Sequence, residues 1–86
     1  MSSYEIEFTA SAYKEIKKLP PQIRLRILGA IYKLELNPRI GQVRPMVGVK
    51  SWRLKVGEYR IIYDILDKQL LILIIRVRHR KNAYRR

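Results

Sequence analysis

Trp52-Arg53-Leu54-Lys55-Val56-Gly57-Glu58-Tyr59-Arg60-Ile61-Ile62-Tyr63 is the stretch whose reading decides the fold. Apolar and basic residues alternate from Trp52 to Val56, and apolar positions alternate again from Tyr59, which is the period of half-buried strands. Gly57-Glu58 between them fits a two-residue hairpin turn with glycine first. The second run continues to Leu66, and Asp67-Lys68 reads as another tight connection. Strands are therefore expected over residues 52–56, 59–66 and 69–77.

Two tight turns set a register, and a register sorts side chains between the two faces of a sheet. With Val56 opposite Tyr59, Lys55 faces Arg60 and Arg53 faces Ile62. With Leu66 opposite Gln69, Arg60 faces Ile75 and Ile62 faces Leu73. One side then carries Trp52, Leu54, Val56, Tyr59, Ile61, Tyr63, Leu70, Ile72 and Ile74, the natural surface for helices. The other carries Arg53, Lys55, Arg60, Ile62, Asp64, Leu71, Leu73, Ile75, Val77 and His79. Like charges directly opposed across strands cost stability. A face needing only solubility has no use for Lys55 against Arg60, and an anion lying over the pair gives the arrangement a purpose.

Upstream, Tyr4, Ile6 and Phe8 alternate with Glu5 and Glu7 as in a strand. Thr9 or Ser11 can cap a helix reaching about Leu19, with Ala12, Ile16 and Leu19 on one face. Pro20-Pro21 stops it and opens the next helix, where Ile23, Ile27, Ala30, Ile31 and Leu34 recur at helical spacing. Asn37-Pro38 ends that helix. Residues 37–51, punctuated by Pro38, Gly41, Pro45 and Gly48, read as irregular. The order β-α-α-β-β-β gives an α+β fold. A helical hairpin covers one face of a mostly antiparallel four-stranded sheet, in one domain over residues 1–86. The pattern leaves the partner of the first strand open.

Composition narrows the function. Nineteen Lys and Arg against seven Asp and Glu give a net charge of +12. Solubility of a small domain needs only about 2–8 charges, so the excess points to an anionic partner, nucleic acid first. The C-terminal run from Arg76 to Arg86 holds six basic residues in eleven. Arg78, His79, Lys81, Arg85 and Arg86 therefore join Arg53 as expected RNA contacts. No stretch approaches the roughly 20 apolar residues of a membrane span, and the N-terminus lacks the pattern of a signal peptide. The expectation is a cytoplasmic protein that needs no membrane. One histidine and no cysteine exclude ordinary zinc sites, and the scattered glycines form no phosphate loop. No metal or cofactor is expected. Lys, Arg, Tyr and His79 remain, a set suited to phosphate chemistry in which RNA supplies its own 2′-hydroxyl nucleophile.

The chain resembles the RelE/ParE toxin superfamily, and its RelE-like ribonuclease branch in particular. The likeness runs from Ile16-Lys17-Lys18-Leu19-Pro20 through Asn37-Pro38-Arg39. It is strongest in the hairpin quoted above and closes with Val77-Arg78-His79-Arg80 and Tyr84. It implies the toxin of a type II toxin–antitoxin pair, a ribosome-dependent endoribonuclease that cuts mRNA in the A site. The implied partners are mRNA and ribosomal RNA on the ribosome and an acidic antitoxin. Carried over, Arg53 and Lys55 match the basic pair of the second strand. Arg60 matches the phosphate-stabilising arginine of the third, Arg80 the arginine ending the last, and Tyr84 the terminal aromatic. In the mechanism this implies, Lys55 or Tyr84 takes the 2′-hydroxyl proton and Arg60 with Arg80 stabilises the transition state. Arg80 or His79 assists the leaving 5′-oxygen, and Tyr84 otherwise stacks on a base. The rival readings are a ParE-like inhibitor of DNA gyrase and a non-catalytic RNA-binding module.

Overall fold

Thr9 is where the first strand hands over to the first helix. Strand β1 (Glu5–Phe8) ends one residue earlier, and helix α1 (Ala10–Lys17) starts one residue later. The Thr9 hydroxyl accepts the Ala12 amide at 3.1 Å and donates to the Ile75 carbonyl at 2.8 Å, so one side chain caps the helix and ties it to the sheet. In this computed structural model, which describes residues 3–46 and 49–83, helix α2 (Pro21–Tyr32) follows after a short turn at Pro20. Proline at its first position gives up an amide that no helix could satisfy there.

Strands β2 (Gln42–Met46), β3 (Val49–Val56), β4 (Tyr59–Leu66) and β5 (Leu71–His79) come next, and a single turn of helix, α3 (Arg80–Ala83), ends the described chain. The sheet order is β1-β5-β4-β3-β2. Pairing is antiparallel except that β1 lies parallel to β5, which settles the partner of the first strand. The α+β class, the helical hairpin and the antiparallel core are as the sequence implies. The difference is β2: part of the stretch expected to be irregular pairs with an extended β3 as a fifth, edge strand. Edge strands tolerate the proline and weak alternation that hid it.

The helices bury Ala12, Ile16, Ile27 and Ile31 against Ile61, Tyr63, Ile72, Ile74 and Val77 of the sheet, with Leu34 closing one end. Fully burying an isoleucine or leucine side chain contributes roughly 1.5–3 kcal/mol. This one-sided core carries the stability, because the opposite face of the sheet has no layer over it among the described residues. At one end Tyr63, with its ring stacked on Trp52, donates its hydroxyl proton to the Pro38 carbonyl at 2.7 Å. Burial raises the Tyr63 pKa above its ordinary value, so the hydroxyl stays a donor. Beside it Tyr4 and Arg39 converge on Asp67, at 2.6 and 2.7 Å. Those two hydrogen bonds, from Tyr4 first and Arg39 second, hold the Asp67 carboxyl below its ordinary range.

Gly41 lies under this corner. A Cβ there sits 2.5 Å from the Tyr63 hydroxyl and 2.7 Å from the Arg53 carbonyl oxygen, and neither atom is on a flexible arm. Gly41→Ala is therefore expected to destabilise by about 1–3 kcal/mol, the usual cost of overpacking. Urea unfolding checks it: the midpoint falls while the slope stays unchanged.

Candidate nucleic-acid interface

Seen from its uncovered face, the sheet presents cations in register. The hairpin pairing is as expected: Val56 faces Tyr59, Lys55 faces Arg60 and Arg53 faces Ile62. Gly57 takes the positive φ of +59° that a glycine-first turn needs.

The β4–β5 register differs from the expected one in two ways. Asp67–Gln69 forms a 3-10 turn, and Leu70 follows in the left-handed region at φ 51°, so the connection has four residues where the sequence reading allowed two. Leu66 therefore faces Leu71 and not Gln69, and Leu70 lies in the turn, 39% exposed, instead of on the helix side. Further along, Tyr63 pairs with Ile74 but Ile62 pairs with Arg76, leaving Ile75 as the extra residue of a β-bulge. A bulge shifts every later side chain to the other face. Arg60 thus faces Arg78 rather than Ile75, and Ile62 faces Arg76 rather than Leu73.

The bulge changes which residues share the charged side. Val77, expected there, is 4% exposed in the core opposite Ile61. His79, also expected there, sits opposite Tyr59 on the helix side, with its ring against the Tyr59 ring edge-on at 5.1 Å. The His79 Nδ1 accepts the Lys81 amide at 3.1 Å, which places its proton on Nε2, 3.3 Å from a Glu58 carboxylate oxygen. It holds the start of α3 against the β3–β4 turn. The Arg80 amide does the same through the Glu58 carbonyl at 2.6 Å.

What comes together on the uncovered face is a row across three strands: Lys55, Arg60 and Arg78 at adjacent register positions. Arg53 lies two residues from Lys55, and its buried Nε has no hydrogen-bond partner among the described residues. Arg80 follows two residues after Arg78, at the first position of α3, and Lys81 is exposed beside it. A row of cations held at strand spacing matches a polyanion backbone, and unlike a flexible tail it has a fixed geometry. Tyr84, Arg85 and Arg86 lie outside the described residues.

Glu15 is the residue that the sequence reading missed. From α1 its Oε2 accepts Arg76 Nε and Nη2 at 3.1 and 3.0 Å, while Oε1 accepts the Val77 amide at 2.7 Å. Beyond Phe8 no described strand lies beside the edge of β5. Thr9 takes the carbonyls of Ile74 and Ile75, and Glu15 takes the next amide. The bulge is therefore satisfied from α1, and Arg76 is drawn to Glu15 and away from the row. A signal was present: strict alternation through Ile72 and Ile74 would have sent Arg76 and Arg78 into the core.

The comparisons with known proteins agree with this fold. Residues 6–84 match the family model described as the ParE toxin of the type II toxin–antitoxin system, parDE. Toxin RelG of Mycobacterium tuberculosis is 37% identical over 96% of this chain and 98% of its own. The mRNA interferase toxin RelE of Escherichia coli K12 is 25% identical, over 94% and 87% respectively. Among solved structures, the toxin–antitoxin complex RelBE2 of M. tuberculosis superposes with a TM-score of 0.82 at 30% identity, covering 91% of this chain and 99% of that one. A helical hairpin on one face of the sheet and a cationic row on the other define a small α+β domain of this kind. The chain belongs to the RelE/ParE family of toxins from type II toxin–antitoxin systems.

Removing the Glu15 carboxylate leaves the Val77 amide unpaired and frees Arg76. Hydrogen bonds to charged groups contribute about 1.5–3 kcal/mol, so Glu15→Ala is expected to lose that order of stability. Glu15→Gln, which keeps an acceptor for Val77, should lose less. Parallel urea melts check the ranking, and equal losses would show that the amide contact contributes nothing beyond the ion pair.

Proposed function

We propose that this toxin is a ribosome-dependent endoribonuclease that cleaves mRNA in the A site by attack of the RNA 2′-oxygen on the adjacent phosphorus, without a metal, and so stops translation in the cytoplasm. The observation that carries the reading is the Lys55–Arg60–Arg78 row, with Arg53 and Arg80 at its borders. The name of the E. coli relative, an mRNA interferase, supports it.

The chemistry follows from the residues. The RNA backbone lies along the row, with Arg53, Arg78, Lys81, Arg85 and Arg86 as contacts to its phosphates. Lys55 or Tyr84 takes the 2′-hydroxyl proton as the 2′-oxygen–phosphorus bond forms. Arg60 and Arg80 stabilise the extra negative charge of the pentavalent transition state, where fixed donors act most strongly. As the phosphorus–5′-oxygen bond breaks, Arg80 serves the leaving oxygen. His79 is the weaker candidate for that task, because its ring lies on the helix side between Glu58 and Lys81. Its contribution is to fix the backbone that carries Arg80.

The partner that silences the toxin is an acidic antitoxin, as the solved toxin–antitoxin complex of the M. tuberculosis relative supports. The uncovered face suits it: Leu71, Leu73 and Ile75 are only partly buried, on the strand that also carries Arg78. An amphipathic segment with acidic side chains covers the apolar strip and neutralises the row together.

Shortening the row leaves the core untouched. Arg60→Ala, Arg80→Ala and Tyr84→Ala are each expected to reduce translation-coupled mRNA cleavage by about 10²–10³-fold, the usual effect of removing one transition-state stabiliser. Cooperative melting should stay near wild type. Tyr84→Phe separates the two roles of that residue, since stacking survives it and proton transfer does not. Full cleavage by the Arg60→Ala, Arg80→Ala double variant contradicts the assignment of these residues to catalysis, and no cleavage by the wild type contradicts the nuclease reading. Gyrase inhibition measured on the same preparations then distinguishes a ParE-like inhibitor from a non-catalytic RNA-binding module.

A further inference from the structure

Helix α3 has four residues, too few to persist as a helix on its own in water. Its placement matters, because it begins with Arg80 and Tyr84 follows it in the sequence, two residues assigned to the cleavage step. Arg80 and Lys81 are both exposed, so packing of those side chains does not hold the turn. Its first amides do. The first four N–H groups of a helix have no partner within it. Here the Arg80 amide donates to the Glu58 carbonyl at 2.6 Å, and the Lys81 amide donates to His79 Nδ1 at 3.1 Å. His79 thus caps the helix from the position before it, a task that serine, threonine, aspartate or asparagine usually performs.

The imidazole is itself fixed. His79 pairs with Tyr59 at the end of the β4–β5 ladder, two residues beyond the buried Val77, and its ring stands edge-on to the Tyr59 ring. Its Nε2 lies 3.3 Å from the Glu58 carboxylate, but that side chain is 69% exposed, and solvent screens the attraction. The cap bond to Lys81 is the stronger constraint of the two. Glu58 sits in the turn between β3 and β4, the strands that carry Lys55 and Arg60. The Glu58 carbonyl and the His79 ring therefore hold Arg80 in the same frame as those two cations, although it comes from a different part of the chain.

We propose that His79 is a positioning residue that transfers no proton: through its Nδ1 cap it fixes the direction in which Arg80 leaves the sheet. The inference rests on the nuclease reading and deepens it, since Arg80 alone then serves the leaving 5′-oxygen. A displacement of roughly 1 Å at a group acting on the transition state can cost about 10²-fold in rate. The loss falls on the rate at saturation and not on the concentration needed to reach it. Arg53, Lys55, Arg60 and Arg78, which hold the RNA backbone, keep their places on the sheet without the cap.

Asparagine and glutamine separate capping from proton transfer. The asparagine side-chain oxygen, like Nδ1, is bonded to Cγ, so His79→Asn keeps an acceptor for the Lys81 amide but has no acidic proton to give. His79→Gln carries its polar atoms one bond further out, toward Glu58, and leaves the cap unmade. The experiment is single-turnover cleavage with toxin in excess over mRNA-bearing ribosomes, beside amide hydrogen exchange of the free proteins. His79→Ala and His79→Gln should cleave on the order of 10–100-fold more slowly at saturation, with the half-saturating concentration unchanged. Their Lys81 amide should exchange faster than in the wild type. His79→Asn should stay close to wild type in both measurements. In an Arg80→Ala background His79→Ala should slow cleavage no further, because residues that act as a unit are not additive.

If His79→Asn loses as much cleavage as His79→Ala while its Lys81 amide stays protected, the ring itself transfers the proton and the proposal is overturned. Full cleavage by His79→Ala overturns it too, as does a further loss in the Arg80→Ala background. A loss confined to the half-saturating concentration would make His79 an RNA contact, again against the proposal. A wild type that cleaves nothing contradicts the nuclease reading and the catalytic consequence of the cap together. The Lys81 exchange rates then still decide whether His79 holds the helix.

Discussion

Strand β5 has to satisfy two incompatible demands, and the bulge at Ile75 is how it does so. Its first half lies between β1 and β4 and must put Ile72 and Ile74 into the core. Its second half must keep Arg76 and Arg78 out of that core, yet both have the same parity as Ile72 and Ile74. Burying an unpaired guanidinium is among the most costly events available to a folded chain. One extra residue reverses the parity, puts Val77 inside and sends Arg78 to the face shared with Arg60 and Lys55. The bulge survives because Thr9 and Glu15, at the start of α1 and within it, meet backbone groups that no described strand meets.

The same constraint explains why the two faces can differ so completely. One carries the whole apolar core under the helical hairpin. The other assembles Arg53, Lys55, Arg60 and Arg78 at spacings where like charges repel. Such a face is tolerable only because the core side is closed by Ile27, Ile31, Leu34, Ile61, Tyr63, Ile72 and Ile74. The repulsion is relieved when an anion arrives. On the reading proposed above, an RNA backbone during catalysis and an acidic antitoxin during silencing would each do so, and the row would then be a point of competition between substrate and inhibitor.

Much of this was legible from the residues. Alternation with a glycine-first turn gave the β3–β4 pairing residue by residue, and with it the Lys55–Arg60 opposition. Helical spacing gave Ile16, Ile27, Ile31 and Leu34 as core. The β4–β5 pairing was not legible, because turn length was inferred from Asp67-Lys68 alone. Leucine in a left-handed conformation at position 70 carries no sequence signature. The position of His79 went wrong for the same reason, since one missed bulge moves every residue beyond it to the other face. Strand β2 was hidden by Pro45, and Glu15 by the fact that its partners lie 61 and 62 residues away.

The central claim is that the bulge builds a cationic row that grips an RNA backbone, and salt dependence tests it most directly. Each phosphate neutralised on a single strand releases counterions and contributes about −0.7 to the slope of log affinity against log salt. Binding of the antitoxin-free toxin to single-stranded RNA should fall steeply as salt rises, and Arg78→Ala should flatten the slope by about one such contact. A nearly flat plot for the wild type, or an Arg78→Ala slope equal to it, would contradict the account.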